Sequence, residues 1–291
     1  HGTPPVSIAQ TVIDKLNSQT FMAIPFFVIA AQFMHQGGIA KALIGISEAW
    51  IGRVRGGLAL TCIGATCIFS AVSGSSAATS IAMATILIPA MLERGYPRPL
   101  AVGVVGSAGT LGMLIPPSIL MVVYGIIAEV SIPRLFLAGV IPGLLQAGLF
   151  ALFVLLVARR KGLPRSESIT WSEFRKANLS ALPALLIPAV IFFGIYGGIA
   201  TVTEAAALAA LLSIIVGLFM YKGISYADII PIAGVALRRT AMIFMIILGA
   251  VLFGHWLTET RIPLQLVEFA TQIDLKAWQF LLIAGAFMLV L

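Results

Sequence analysis

The chain has 291 residues, of which 60% are hydrophobic and only 10% are charged, and it carries a net charge of +7. An average soluble domain has roughly 25% charged residues. This composition excludes a disordered chain, a coiled coil and an ordinary soluble enzyme, and it is that of a polytopic all-α membrane protein.

The charged residues leave eight long uncharged windows: 16–40, 57–92, 99–128, 135–158, 177–203, 205–221, 240–258 and 277–291. A helix needs about 20 apolar residues to cross the hydrocarbon layer, and most of the windows fit one crossing. The 18 Lys and Arg outnumber 11 acids. They sit in short stretches between windows, so the excess reads as membrane topology and not as nucleic-acid binding. No leader peptide is visible. With His1 at one end and Leu291 inside an apolar run at the other, the chain reads as a piece of a longer membrane protein.

The first crossing, 16–40, is followed by a short amphipathic stretch with Glu48 and Trp50, read as an interfacial helix. Window 57–92 is 36 residues long. That is too short for two crossings with a turn and too long for one. Arg53 and Arg55 precede it and Arg94 and Arg98 follow it, so both flanks read as cytoplasmic. Its centre is Ser73-Gly74-Ser75-Ser76. A re-entrant helical hairpin turning at Ser73–Ser76 accounts for all of this, because non-helical backbone at membrane depth is tolerated only against protein or a wet cavity. Cys62 and Cys67, in the same window, read as small buried thiols.

Window 99–128 carries Gly103, Gly106, Gly109 and Gly112 before Ile115-Pro116-Pro117-Ser118. Adjacent prolines remove two backbone donors, so Gly109–Ser118 is expected to be unwound between two half-helices. Window 135–158 then returns to the basic cluster Arg159-Arg160-Lys161, Arg165, Arg175 and Lys176, a cytoplasmic linker over 159–176. Windows 177–203 and 205–221 form an out-and-back pair, Arg238 and Arg239 fall on the cytoplasmic side, and 240–258 runs outward. Phe33-Met34-His35 aligns with Phe253-Gly254-His255, and the apolar runs before them, Phe21 to Ala30 and Ala241 to Ala250, are alike. With opposite predicted directions these make an inverted repeat, an architecture of secondary transporters. In that scheme 277–291 begins a second hairpin. Four segments follow: a first-repeat scaffold helix and interfacial arm (1–56), a transport domain (57–130), a crossing helix and linker (131–176), and an incomplete second repeat (177–291).

A broken helix at membrane depth leaves unpaired N–H groups at one tip and unpaired C=O groups at the other, which attract anions and cations respectively. Ser73, Ser75, Ser76, Thr79 and Thr110 add hydroxyl oxygens. Uncharged hard oxygens suit Na⁺ better than a transition metal. His35 and His255 show no ligand spacing and read as polar residues at helix ends. Glu204 sits at a helix start, either as a cap or as a functional intramembrane acid, and Glu129 and Glu259 are interfacial. Ala71-Val72-Ser73-Gly74 faintly matches the Gly-x-Ser-Gly of rhomboid-type serine proteases but lacks the first glycine and a paired His. An intramembrane serine hydrolase is therefore the remote alternative, and a stand-alone ion-coupled organic-anion carrier the nearer one.

The runs Phe69-Ser70-Ala71-Val72-Ser73-Gly74-Ser75-Ser76-Ala77-Ala78-Thr79, Ile88-Pro89-Ala90-Met91, and Gly109-Thr110-Leu111-Gly112 through Pro116-Pro117-Ser118 closely resemble the large membrane (M, DctM-type) subunit of tripartite ATP-independent periplasmic (TRAP) transporters. Thr203-Glu204-Ala205-Ala206-Ala207 after Tyr196-Gly197-Gly198-Ile199 also resembles it. The resemblance implies a non-enzymatic, Na⁺-driven elevator importer in a bacterial inner membrane. Its substrate would be an organic acid such as a C4-dicarboxylate or sialic acid. Its partners would be a periplasmic binding protein and a small four-helix membrane subunit (Q type), separate or fused, and Na⁺ would be the coupling ion with no other cofactor. It also implies Na⁺ near Ser73, Gly74, Ser75, Ser76, Gly109, Thr110 and Gly112, and substrate near Ser76, Thr79, Pro116, Pro117 and Ser118. A second half-site is expected beyond residue 291.

Overall fold

The computed structural model describes residues 19–165, 169–273 and 275–290. The expected beginning of the first crossing (16–18) and linker residues 166–168 lie outside the described residues. The regular secondary structure of the described residues is helical, apart from one isolated backbone bridge between Arg55 and Arg165. Six helices are long and apolar enough to cross a membrane, and a bent pair adds a seventh candidate.

In chain order the helices are α1 (Ala23–Gln36, preceded by a 3₁₀ turn Gln19–Met22), α2 (Ile39–Ile51), α3 (Gly57–Ser73), α4 (Ser76–Glu93), α5 (Arg98–Gly109), the single turn α6 (Leu111–Leu114) and α7 (Ile119–Ile127). They continue as α8 (Ile132–Lys161), α9 (Trp171–Tyr196), α10 (Val202–Ile215, extended by a π turn Val216–Met220), α11 (Ile229–Glu259), α12 (Ile262–Gln272) and α13 (Ala277–Val290). The contacts divide the chain into two compact units that meet in sequence at Ile243 and Phe244.

The larger unit is built around α3. This helix is apolar on all faces and almost every residue is buried, as expected of a helix enclosed by protein. It is packed by α2, α4, α5, α6, α8 and α9. Thr61, Thr66, Ser70 and Ser73 are fully buried along it, so its polar positions face protein and not lipid. By contrast α8 exposes Ile141 (77%), Leu144, Leu145 and Phe153, the outward apolar surface of a chain whose solvent is hydrocarbon.

The helix breaks follow local sequence. Gly38, in the left-handed region at φ 82°, separates α1 from α2, and α2 leaves at 70° to the preceding helix. Basic residues gather where the hairpin opens. Arg53 donates to Ile169 O (3.0 Å), Gly56 N–H donates to Pro164 O (3.2 Å), and Arg94 pairs with Glu48 (2.6 Å). Trp50, at the end of α2, donates its indole N–H to Asn178 (3.0 Å). Both hairpin flanks are thus tied to the linker, α2 or both. Arg159, Arg160 and Lys161 occupy the last turn of α8, where cations complement the helix dipole.

Two expectations are revised. The unwound stretch is shorter than Gly109–Ser118, because Leu111–Leu114 keeps one helical turn and the non-helical backbone is confined to Thr110 and Ile115–Ser118. Arg238 and Arg239 lie inside α11 and not in a loop, since that helix starts at Ile229. Taking charged residues as window edges cut one long helix at its arginines.

The smaller unit holds the end of α11 with α12 and α13. Its element order repeats that of α1 to α3. A helix bearing the Phe-x-His run is followed by a left-handed residue (Gly38 at φ 82°, Arg261 at φ 54°), a short amphipathic helix and then an apolar helix.

Candidate cation and substrate site

The hairpin tip is written into Ser73-Gly74-Ser75-Ser76. Gly74 adopts φ 58° and its N–H donates to Ser70 O at 3.2 Å, the glycine cap that closes a helix C-terminus. Ser75 is extended, and its Oγ accepts from Ala78 N–H at 3.4 Å to open α4, the ordinary role of an N-cap serine. Two residues therefore reverse the chain between helices of 17 and 18 residues.

The proline break meets this tip. Pro116 and Pro117, joined by a cis peptide bond, lack backbone donors. Ser118 occupies the N-cap position of α7 without a side-chain cap bond. Ile119 N–H instead donates to Gly74 O across the two elements, at 3.1 Å. The approach is close enough to demand glycine. A methyl group on Gly74 would lie 2.9 Å from both Ile119 N and Pro117 O, and one on Gly112 would lie 3.1 Å from the Ser75 carbonyl. One on Gly109 would land on Ser80 Oγ.

Of the residues expected at the site, Ser73, Gly74, Ser75, Ser76, Gly112, Pro116, Pro117 and Ser118 come together around this junction, while Gly109 packs on Ser80, a turn further into α4. Thr79 lies one turn into α4, fully buried. The hydroxyls of Ser70, Thr79 and Ser118 are buried without a hydrogen-bond partner. Such groups are costly in a protein interior unless a ligand or ion satisfies them. Ser73 Oγ donates only a long 3.5 Å bond to Ser75 O. The donor set is hard, neutral oxygen from hydroxyls and helix-end carbonyls, which fits Na⁺. Among the described residues no group of three or more His, Cys, Asp or Glu is placed to hold a metal.

Thr110 turns away from the junction. It is exposed, donates to Ser107 O (2.7 Å) and accepts from Gln146 Nε2 of α8 (3.1 Å). Glu204 makes a reciprocal capping box with Thr201. The Thr201 N–H and hydroxyl both donate to Glu204 Oε2 (2.8 Å each), and Glu204 N–H donates to Thr201 Oγ1 (3.2 Å). Among the described residues no imidazole is hydrogen-bonded to Ser73, whose hydroxyl donates to Ser75 O.

A cavity of about 290 Å³ opens beside the tip, lined by Ser73, Ser75, Ala78, Gln32, Ile119 and Arg239 among others. Gln32 and Arg239 were not anticipated in this position. The available signal was a pair of arginines inside a long apolar stretch, which in a membrane helix marks a functional position by default.

The chain is therefore a polytopic helical membrane protein in which a helical hairpin and a proline-broken helix meet inside the apolar bundle. It belongs to the tripartite ATP-independent periplasmic transporter family, DctM component, whose profile it matches over residues 1–291. It is 40% identical over 284 residues to the C4-dicarboxylate TRAP transporter large permease protein DctM of Pseudomonas aeruginosa, covering 98% of this chain and 66% of that protein. It is 34% identical over 294 residues to the isethionate TRAP transporter permease protein DctMQ of Oleidesulfovibrio alaskensis (100% and 46% covered). It is also 34% identical over 262 residues to the ectoine TRAP transporter large permease protein TeaC of Halomonas elongata (90% and 61% covered). The chain spans about two thirds of the length of the DctM relative.

Proposed function

We propose that this chain is the larger part of the permease subunit of a Na⁺-coupled importer of organic acids in a bacterial inner membrane. A periplasmic binding protein delivers the substrate, and a small four-helix subunit accompanies the permease. The observation that carries this reading is the hairpin tip seated on the Pro116–Pro117 break, with buried unpartnered hydroxyls around it. The hairpin arms, about 26 Å long, fall just short of the roughly 30 Å hydrocarbon layer. A further nine residues of helix, α7, follow the contact, which supports a re-entrant tip inside the membrane. Segment 57–130 then acts as the moving body of an elevator, and the recurring element order supports an inverted second repeat.

The relatives above are named for C4-dicarboxylates, isethionate and ectoine, compounds that share a carboxylate or sulfonate. Importing a dianion against an inside-negative potential costs about twice the 2.3 kcal/mol per charge per 100 mV. Two Na⁺ cancel that cost and a third drives uptake, so coupling requires at least two. The test is uptake of labelled succinate, isethionate and ectoine by the full-length permease, reconstituted with its partner subunits. Uptake is expected to need both Na⁺ and the binding protein. Uptake that ignores Na⁺ removes the coupling, and uptake without the binding protein makes the chain a stand-alone carrier.

A further inference from the structure

Arg239 is ten residues into α11, about 15 Å along the helix from its start. No carboxylate, carbonyl or hydroxyl is bonded to it among the described residues, although it is half-buried. The titratable group that feels its charge is His35, a base that supplies no compensating negative charge. Arg238, its neighbour on the same turn, is exposed and does not line the cavity. A half-buried guanidinium without a hydrogen-bond partner is costly and is ordinarily matched by an acceptor.

Arg239 lines the 290 Å³ cavity that also exposes Ser73 and Ser75 of the hairpin tip and Gln32 of α1. The volume is at the lower end of small-ligand pockets, about 300–1,000 Å³. Among the described residues no acid lines it, so its fixed charge there is one cation facing hydroxyl and amide groups. A guanidinium presents paired donors that match a planar carboxylate or a sulfonate. Hydroxyls and an amide complete the hydrogen bonds of such a group. An anion there would also screen the guanidinium from a cation at the adjacent tip, so each would favour the other's binding.

We propose that Arg239 is the oxyanion anchor of the transported substrate, holding one carboxylate or sulfonate in the cavity between α1, α11 and the hairpin tip, with Gln32, Ser73 and Ser75 as its neutral hydrogen-bond partners. The choice of ligand rests on the transport reading above.

The test uses the full-length permease with its small subunit in proteoliposomes, Ile81→Cys as a reporter on the cavity wall, and Cys62 and Cys67 changed to alanine. Labelling by uncharged N-ethylmaleimide is timed in Na⁺ with succinate, with isethionate, or with neither. At least fivefold protection by one of the two anions is expected, and the effective anion tells a carboxylate from a sulfonate preference. Arg239→Gln is expected to abolish the protection, Arg239→Lys to retain it only at roughly tenfold higher anion, and Arg238→Gln to leave it unchanged. Labelling in Na⁺ against choline without anion reads the cation separately and reports that the variants are folded. Loss of that Na⁺ effect alone removes the cation reading and leaves the anchor standing. Protection that survives in Arg239→Gln, or that neither anion gives with Arg239 present, overturns the proposal.

Discussion

Replacing Gly74 by alanine places a methyl group where two backbones nearly touch. The residue sits at φ 58°, and an L-residue with a Cβ loses about 1–2 kcal/mol in that region. The added carbon would stand 2.9 Å from Ile119 N and from Pro117 O. Neither is a flexible side-chain end, so the tip has to withdraw from the break. Withdrawal lengthens the Ile119 N–H to Gly74 O bond, worth about 1 kcal/mol net. Together these remove roughly 2–3 kcal/mol from the assembled junction. At 1.4 kcal/mol per factor of ten, the half-saturating Na⁺ concentration for uptake by the full-length permease is expected to rise about 30–140-fold. Gly95→Ala separates strain from contact, since Gly95 is also left-handed (φ 78°) but has open space around it. That variant is expected to lose about 1 kcal/mol of stability with its Na⁺ dependence unchanged. A Gly74→Ala protein whose Na⁺ dependence stays within twofold of the parent refutes the reasoning that the junction builds the cation site.

Three further outcomes are expected. Gly112→Ala presses a methyl against the Ser75 carbonyl at 3.1 Å, a contact that a small shift relieves. Its Na⁺ requirement is expected to rise only about tenfold, in the range of a 1–2 kcal/mol overpacking cost, read by the same uptake titration. Ser118→Ala removes a buried hydroxyl that has no protein partner. Thermal unfolding without Na⁺ is expected to be unchanged or slightly raised, because an unsatisfied polar group is lost, while the stabilisation given by Na⁺ shrinks. Thr201→Ala breaks the capping box with Glu204 and is expected to cost about 1 kcal/mol in a denaturation measurement, with Na⁺ dependence intact. A changed Na⁺ dependence there would give Glu204 a functional role beyond its cap.

The hairpin and the break were legible because their signals are local and chemical. Ser73-Gly74-Ser75-Ser76 contains the glycine that ends one helix and the serine that begins the next, and Pro116-Pro117 cannot donate to a helix ladder. The basic flanks Arg53, Arg55, Arg94 and Arg98 likewise pointed to a chain that returns to the same side. The contact between tip and break was not legible from spacing. It depends on a carbonyl of Gly74 reaching the Ile119 amide, a tertiary bond between residues far apart in sequence. Thr110 appeared as a hydroxyl ligand by type, yet its orientation is set by Gln146 on α8. Arg239 was not legible as a cavity residue, because the sequence shows only a charge between two apolar windows, whereas the helix that carries it past the hairpin tip starts at Ile229.

The most direct measurement compares thermal unfolding of the full-length permease in NaCl and in choline chloride at equal ionic strength, with and without Ser118→Ala and Gly74→Ala. A ligand at one hundred times its dissociation constant stabilises the folded state by about 2.7 kcal/mol. Saturating Na⁺ is therefore expected to raise the midpoint by a few degrees in the parent and by much less in both variants. Equal midpoints in the two salts, or an undiminished Na⁺ effect in both variants, would contradict the assignment of the cation to this junction.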